Sequence, residues 1–238
     1  MRIDKFLSTQ GVASRKEAAR VARSGGVTVD GVVVRDLSSH VDPEKQRICY
    51  MGQQIGYSEF VYIMLNKPSG YVSATDDKSL PFVTELLDER YRKMELFPVG
   101  RLDKDTLGLM ILTNDGKLAH RLLSPRHHVE KKYYFEADEP LPDGIAEDFK
   151  SGVVLRDGYE CKEADIRLND DKKSGVITLT EGKYHQIKRM IASFNNRVTY
   201  LERISFGAIT LDPSLSRGEW RMLTKVEEEI LKNQNEKI

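Results

Sequence analysis

The sequence predicts an α+β protein in two parts: a small module of two helices and a hairpin, then a larger domain on a mixed, mostly antiparallel sheet. Three observations carry that prediction. Helical spacing rules residues 1–24 and gives way at 27–34 to V-T-V-D-G-V-V-V, where Asp-Gly between β-branched runs marks a two-residue hairpin turn. From residue 60 onward, short apolar runs bounded by Gly, Pro, Asn and Asp alternate with short amphipathic stretches. A chain of 238 residues has room for one small and one medium core. The expected division is 1–58, module plus linker, and 59–238, the larger domain.

Taken in order, Ile3, Phe6 and Leu7 share a helical face, and Gly11 ends that helix. Ser14-Arg15-Lys16-Glu17 is a capping box: the Ser14 hydroxyl accepts from the Glu17 amide, and the Glu17 carboxylate accepts from the Ser14 amide. The helix behind it carries Lys16, Arg20 and Arg23 at i, i+4 and i+7, a cationic stripe with alanines packing elsewhere, and Gly25-Gly26 stops it. Residues 49–59, with two glycines and weak periodicity, read as the end of the module and a flexible linker. Residues 60–65 read as a strand ending in the turn 66–70, and 79–87 as a helix with Ser79 near its N-cap and Pro81 in its first turn.

A helix follows from Gly116 to about Leu123, capped by Thr113 or Asn114 and ended by Ser124-Pro125. Residues 129–137 form a strand with Tyr133 and Phe135 on one face and Tyr134, taken as a core residue, on the other. A short helix over 142–150 and strands over 159–168 and 175–180 come next. A helix burying Ile187, Met190, Ile191 and Phe194, a strand over 197–204 and a charged helix from Val226 with a frayed tail complete the chain.

The net charge of zero conceals segregation. Residues 2–23 hold six Lys/Arg against two acids, 116–135 five against one plus three histidines, and 183–203 five against one; residues 136–171 hold twelve acids and four basic residues. A neutral chain patterned this way can present a cationic face to a polyanion. No apolar run approaches bilayer length, and Arg2, Asp4 and Lys5 stand where a signal peptide would be apolar. Cys49 and Cys161 lie far apart in no metal or redox spacing, which points to reduced thiols and a cytoplasmic protein. His120, His127 and His128 with Asp115 meet no metal-ligand spacing. Beside Lys117, Arg121 and Arg126 they are expected to extend a polyanion-facing surface.

The chemistry-bearing stretch is G-R-L-D-K-D-T-L-G-L at 100–109, between the apolar runs 96–99 and 109–112. Gly100 and Gly108 permit positive φ and close approach. An Arg and an Asp two apart in such a turn make either a site or a tight connection whose Asp103 and Asp105 bond only their own backbone. The residues alone leave both open.

Two resemblances bear on the choice. The helices and hairpin of 1–48, with L-S-T-Q-G-V-A-S-R-K-E-A at 7–18, resemble the S4 RNA-binding domain of the α-L type. That resemblance implies that Arg15, Lys16, Arg20 and Arg23 contact RNA phosphates, as cations along one helix can. With N-K-P-x-G at 66–70, R-L-D-x-x-T-x-G-L at 101–109 and E-G-K-Y-H-Q-I-K-R-M at 181–190, the whole chain resembles the RsuA-type family of rRNA pseudouridine synthases.

The family breaks the uridine N1–C1′ bond, turns the base and rejoins it through C5, with no cofactor or metal. The resemblance makes Asp103 the catalytic residue, adding to C1′ or removing the C2′ proton, and leaves Asp105 a turn role. It implies that Arg101 fills the space of the flipped base, that Tyr133, of the K-x-Y motif, packs on the uracil, and that Lys188 pairs with Asp103. Many relatives carry Arg at that last position. His-Gln before a lysine is similar to the small-subunit branch, which implies 16S rRNA in a pre-ribosomal particle, uridine-516, and a monomer.

Three alternatives remain at this stage. One is a 23S-directed relative, another a non-catalytic S4-type rRNA-binding or assembly protein, and the third a metal-dependent hydrolase using Asp103 and Asp105.

Overall fold

A computed structural model describes residues 1–124 and 127–234, so the expectations for Pro125, for Arg126 and for the end of the C-terminal tail lie outside the described residues. Helices α1 (Ile3–Thr9) and α2 (Arg15–Arg23) pack on strands β1 (Val27–Val29), β2 (Val32–Val33), β3 (Ile48–Tyr50) and β4 (Gln53–Gln54), an antiparallel sheet in the order β2-β1-β3-β4. The capping box forms as read. Asp30 and Gly31 both take positive φ, so the hairpin turn is of the primed type that suits strand twist. Phe6, Leu7, Ala18, Ala22, Val27 and Ile48 close a core of their own.

The larger sheet is made by β5 (Tyr62–Lys67), β6 (Phe97–Pro98), β7 (Leu107–Thr113), β8 (Lys131–Ala137), β9 (Asp165–Leu168), β10 (Ser174–Leu179), β11 (Val198–Phe206), β12 (Ile209–Thr210) and β13 (Trp220–Met222). Its order is β13-β5-β7-β11-β8-β10-β9, with β6 on β7 and β12 on β11; only the central β7–β11 pair is parallel. The helices are α3 (Glu89–Arg92), α4 (Gly116–Leu123), α5 (Ile145–Ser151), α6 (Gln186–Ser193) and α7 (Lys225–Asn233). Ile63, Leu65, Met110 and Leu112 face Phe149 of α5 and Ile187 and Met190 of α6. Tyr62, Met64, Leu109 and Ile111 face Leu118 and Leu122 of α4 and Leu231 of α7. Strands covered on both faces carry unbroken apolar runs instead of alternation, which is why 61–65 and 109–112 read as they do. The α+β reading holds, and among the described residues no helix is long and apolar enough to cross a membrane.

Several local expectations are corrected. Residues 48–54 are a hairpin turning at Met51-Gly52 within the small module's sheet, so the linker is shorter than 49–59. The hairpin's outer strand, Gln53–Gln54, is exposed and has no apolar signal. The connection is not slack: Gln10 and Ser58 exchange side-chain-to-backbone hydrogen bonds of 3.0 and 3.1 Å, and Arg90 Nε donates to the Gln10 carbonyl. Residues 79–87 form only a 3-10 turn over Val83–Leu86, because the Asp77 carboxylate takes the Ser79 and Leu80 amides and Val72 bridges to Phe82. Asp115, not Thr113 or Asn114, caps α4; its carboxylate accepts from the Leu118 amide and the Tyr62 hydroxyl. Tyr133 is the buried member of its pair, while Tyr134 is half-buried against Tyr200.

Candidate active site

The loop between β6 and β7 carries Asp103, and the segment 67–73 holds that loop in place. Lys67 has no exposed surface. Its ammonium donates to the carbonyl oxygens of Pro68, Asp103, Lys104 and Thr106 at 2.8–3.2 Å. The Gly70 amide donates to the Lys104 carbonyl, and Ser73 Oγ both donates to the Leu102 carbonyl and accepts from its amide. The N-K-P-x-G motif is thus the clamp of the R-L-D loop. Burial pushes the Lys67 amine down to about 8, against the pull of Asp105 and Asp103, so it remains protonated at neutral pH.

Gly108, one residue into β7, is needed for the central parallel pairing. Its φ is +96°, and a Cβ there would stand 2.3 Å from the Arg203 carbonyl oxygen of β11.

Lys188, in the first turns of α6, reaches the same loop from across the sheet. Its ammonium stands 3.0 Å from Asp103 Oδ2 and 2.6 Å from Asp105 Oδ1. Burial opposes the charge on Lys188, but hydrogen bonds to Asp105 and Asp103 outweigh it and its pKa is raised. For Asp105, burial works against ionisation and the Lys188 bond and charge win, leaving its carboxyl below the ordinary range. Asp105 therefore shares the site's cation, and the reading of it as a turn residue alone is corrected.

His185 was not foreseen as a member of the site. Held in the left-handed region at φ 50°, it places Nε2 3.6 Å from Asp103 Oδ1 and stacks on Tyr184, an exposed aromatic, at 3.8 Å. The sequence signal lay in the E-G-K-Y-H turn itself, a glycine and a polar run entering a helix.

Asp103, Lys188, Arg101 and Tyr133 all line one narrow cleft, with Thr106 and Leu179 completing its walls. Tyr133, on β8, is the buried wall; Arg101 is exposed at the mouth. The Thr106 hydroxyl is buried with no hydrogen-bond partner among the described residues. Arg15, Lys16, Arg20 and Arg23 stand apart on α2, exposed and without an ion-pair partner among the described residues, with Arg20 lining a groove shared with Lys93 of the larger domain. No three described His, Cys, Asp or Glu residues converge to hold a metal.

A carboxylate fixed by a single lysine, beside an aromatic wall and an exposed guanidinium, can attack or deprotonate a sugar carbon while a flat base rests against the ring.

Residues 61–193 match the RNA pseudouridylate synthase family model, and residues 1–46 match the S4 domain. The chain is 44% identical to an uncharacterised RNA pseudouridine synthase of Bacillus subtilis, over 97% of this chain and 98% of that protein. It is 42% identical to ribosomal small subunit pseudouridine synthase A of Escherichia coli K12, over 95% and 98% respectively. A solved pseudouridylate synthase superposes with a TM-score of 0.69 at 36% identity, covering 97% of this chain and 99% of that one.

Proposed function

Because this chain belongs to the RNA pseudouridylate synthase family, we propose that it isomerises a specific uridine to pseudouridine in 16S rRNA, with Asp103 as the catalytic residue. The observation that carries this reading is the Lys188–Asp103 pair at 3.0 Å, inside the cleft that Tyr133 and Arg101 also line. Similarity to the small-subunit enzyme of Escherichia coli supports the choice of small-subunit rRNA, and the His-Gln-Ile-Lys run at 185–188 is the basis for uridine-516 within it. The division of labour follows the two cores: residues 1–58 dock on the RNA through Arg15, Lys16, Arg20 and Arg23, and 59–238 do the chemistry on a pre-ribosomal particle, as a monomer in the cytoplasm.

Asp103 must be ionised to act. Lys188, 3.0 Å from its carboxylate, is placed to aim it. In one route a carboxylate oxygen bonds to C1′ as the C1′–N1 bond breaks, leaving the uracil as an anion; in the other it takes the C2′ proton and a glycal forms. Either way the freed uracil turns against Tyr133 and C5 bonds to C1′, as the C1′–O bond to Asp103 breaks in the first route or as C2′ takes its proton back from Asp103 in the second; the C5 proton then leaves and N1 is protonated. The base reaches the cleft only when flipped from its stack, and Arg101 at the mouth is placed to occupy the gap.

Mapping pseudouridine in 16S rRNA from cells lacking the chain tests the reading. Loss of one pseudouridine, restored by the wild type and not by Asp103→Asn, is expected. Restoration by Asp103→Asn would overturn the assignment of Asp103.

A further inference from the structure

We propose that the larger cavity adjoining the catalytic cleft is a second subsite, seating a backbone phosphate of the RNA strand next to the isomerised nucleotide, with Lys131 as its inner cation. The inference rests on the reading of the chain as a synthase acting on an RNA strand. The cavity measures about 450 Å³, within the range of roughly 300–1,000 Å³ that small-ligand sites occupy. It adjoins the cleft: Arg101, Tyr133, Glu181, Gly182 and Lys183 line both. A strand whose uridine enters the cleft therefore passes the mouth of this cavity.

Its inner cations bond to backbone carbonyls, with no ion-pair partner among the described residues. Arg203, 2% exposed, gives its Nε to the Leu109 carbonyl. Lys131 gives its ammonium to the Val129 carbonyl at 2.7 Å. Neither forms an ion pair with a carboxylate among the described residues. The acid on the wall, Glu181, is already engaged by the Tyr159 hydroxyl, the Lys162 amide and the Gln186 side chain. Burial pushes the Lys131 amine down to about 8, and the neighbouring Arg203 charge adds to this against a weaker pull from Glu181.

Two adjacent cations that no carboxylate pairs with directly are costly to bury, and an entering anion relieves that cost. Lys162 and Lys183, exposed at the rim, extend the positive surface outward. Phe206, Leu122 and the exposed Leu123 offer apolar contact to the attached ribose and base. A phosphodiester already tethered to the flipped uridine meets all three demands.

The test is a charge-removal cycle read by affinity. A synthetic small-subunit rRNA fragment spanning the candidate uridine is compared with copies carrying one uncharged methylphosphonate at each flanking phosphate, on wild type, Lys131→Met and Lys162→Ala. One position is expected to weaken wild-type binding about tenfold, the loss of one charge-assisted contact. The same position should then matter less than about twofold in Lys131→Met. Lys162→Ala, an exposed change at the rim, should shrink the same penalty partially and serves if Lys131→Met does not fold. An equal penalty in all three proteins, or no sensitive position, overturns the subsite. Competition by inorganic phosphate with no methylphosphonate effect assigns the cavity to free phosphate and overturns it as well. Turnover of the unmodified fragment reports separately on the synthase reading, because the binding cycle needs no catalysis.

Discussion

Lys67 donates to the backbone carbonyl of Asp103 at 3.1 Å, while Lys188 holds the carboxylate of the same residue. One lysine fixes where the loop lies and the other fixes where the acid points. The two contacts fail differently when removed.

Lys67→Met keeps side-chain length and strips four carbonyls of their donor. We expect a loss of about 2–4 kcal/mol in unfolding free energy, because buried acceptors are left unpaired. We also expect a fall of about 10²-fold in kcat from a displaced Asp103. Denaturant unfolding and single-turnover tritium release from 5-³H-uridine RNA measure the two. An unchanged kcat in the folded variant would show that the clamp does not position the acid.

Lys188→Met leaves Asp103 and Asp105 as neighbouring carboxylates with no shared cation. Turnover should fall by about 10²–10³-fold with little change in KM. Lys188→Arg keeps the charge and should stay within about tenfold of wild type. A wild-type kcat in the Met variant would remove Lys188 from the mechanism.

The α2 stripe should act on binding alone. Replacing Arg15, Lys16, Arg20 and Arg23 together with alanine should raise Kd for rRNA and flatten the slope of log Kd against log salt by about 3–4, one counter-ion per lost phosphate contact. Single-turnover kcat at saturating RNA should not change. All four side chains are exposed, so the fold is expected to survive.

Acid sensitivity should concentrate near the C-terminus. Arg221 bonds Asp212 at 2.7 Å and Glu227 at 2.7 and 2.8 Å. Hydrogen bonds from Ser214 and Arg221 hold the Asp212 carboxyl down to about 2, and Arg221 foremost does the same for Glu227, also to about 2. Carboxyls depressed in the folded state stabilise it above their ordinary range and lose that contribution as pH falls toward 2. Thermal midpoints of Arg221→Met should therefore fall less steeply than wild type between pH 4.5 and 2. Parallel curves would show that this cluster does not carry the acid transition.

What the sequence could and could not disclose follows from where the signals are local. The Ser14–Glu17 capping box, the Asp-Gly hairpin and the apolar runs of β5 and β7 depend on near neighbours or simple burial, and all three form as read. The pairing of Lys188 with Asp103 and the shared cleft with Arg101 and Tyr133 had been expected from motif resemblance, and the geometry brings these four together. Lys67 reads as an ordinary turn lysine, since three of its four carbonyl partners lie in a loop more than thirty residues away along the chain. Asp105 likewise looks like a turn residue until α6 docks. The half-exposed Trp220–Met222 strand has too little alternation to be seen, and the helix expected over 79–87 loses to extended pairing with Val72.

The small core closes among residues 3–57, whereas Lys188 meets Asp105 across 83 positions of chain. Because a polypeptide leaves the ribosome amino end first, the grip and the chemistry are completed at different moments of synthesis. A chain halted before α6 already owns its cationic helix and has no Lys188. Truncated forms ending there are therefore predicted to be inactive ligands of rRNA that compete with the full-length enzyme.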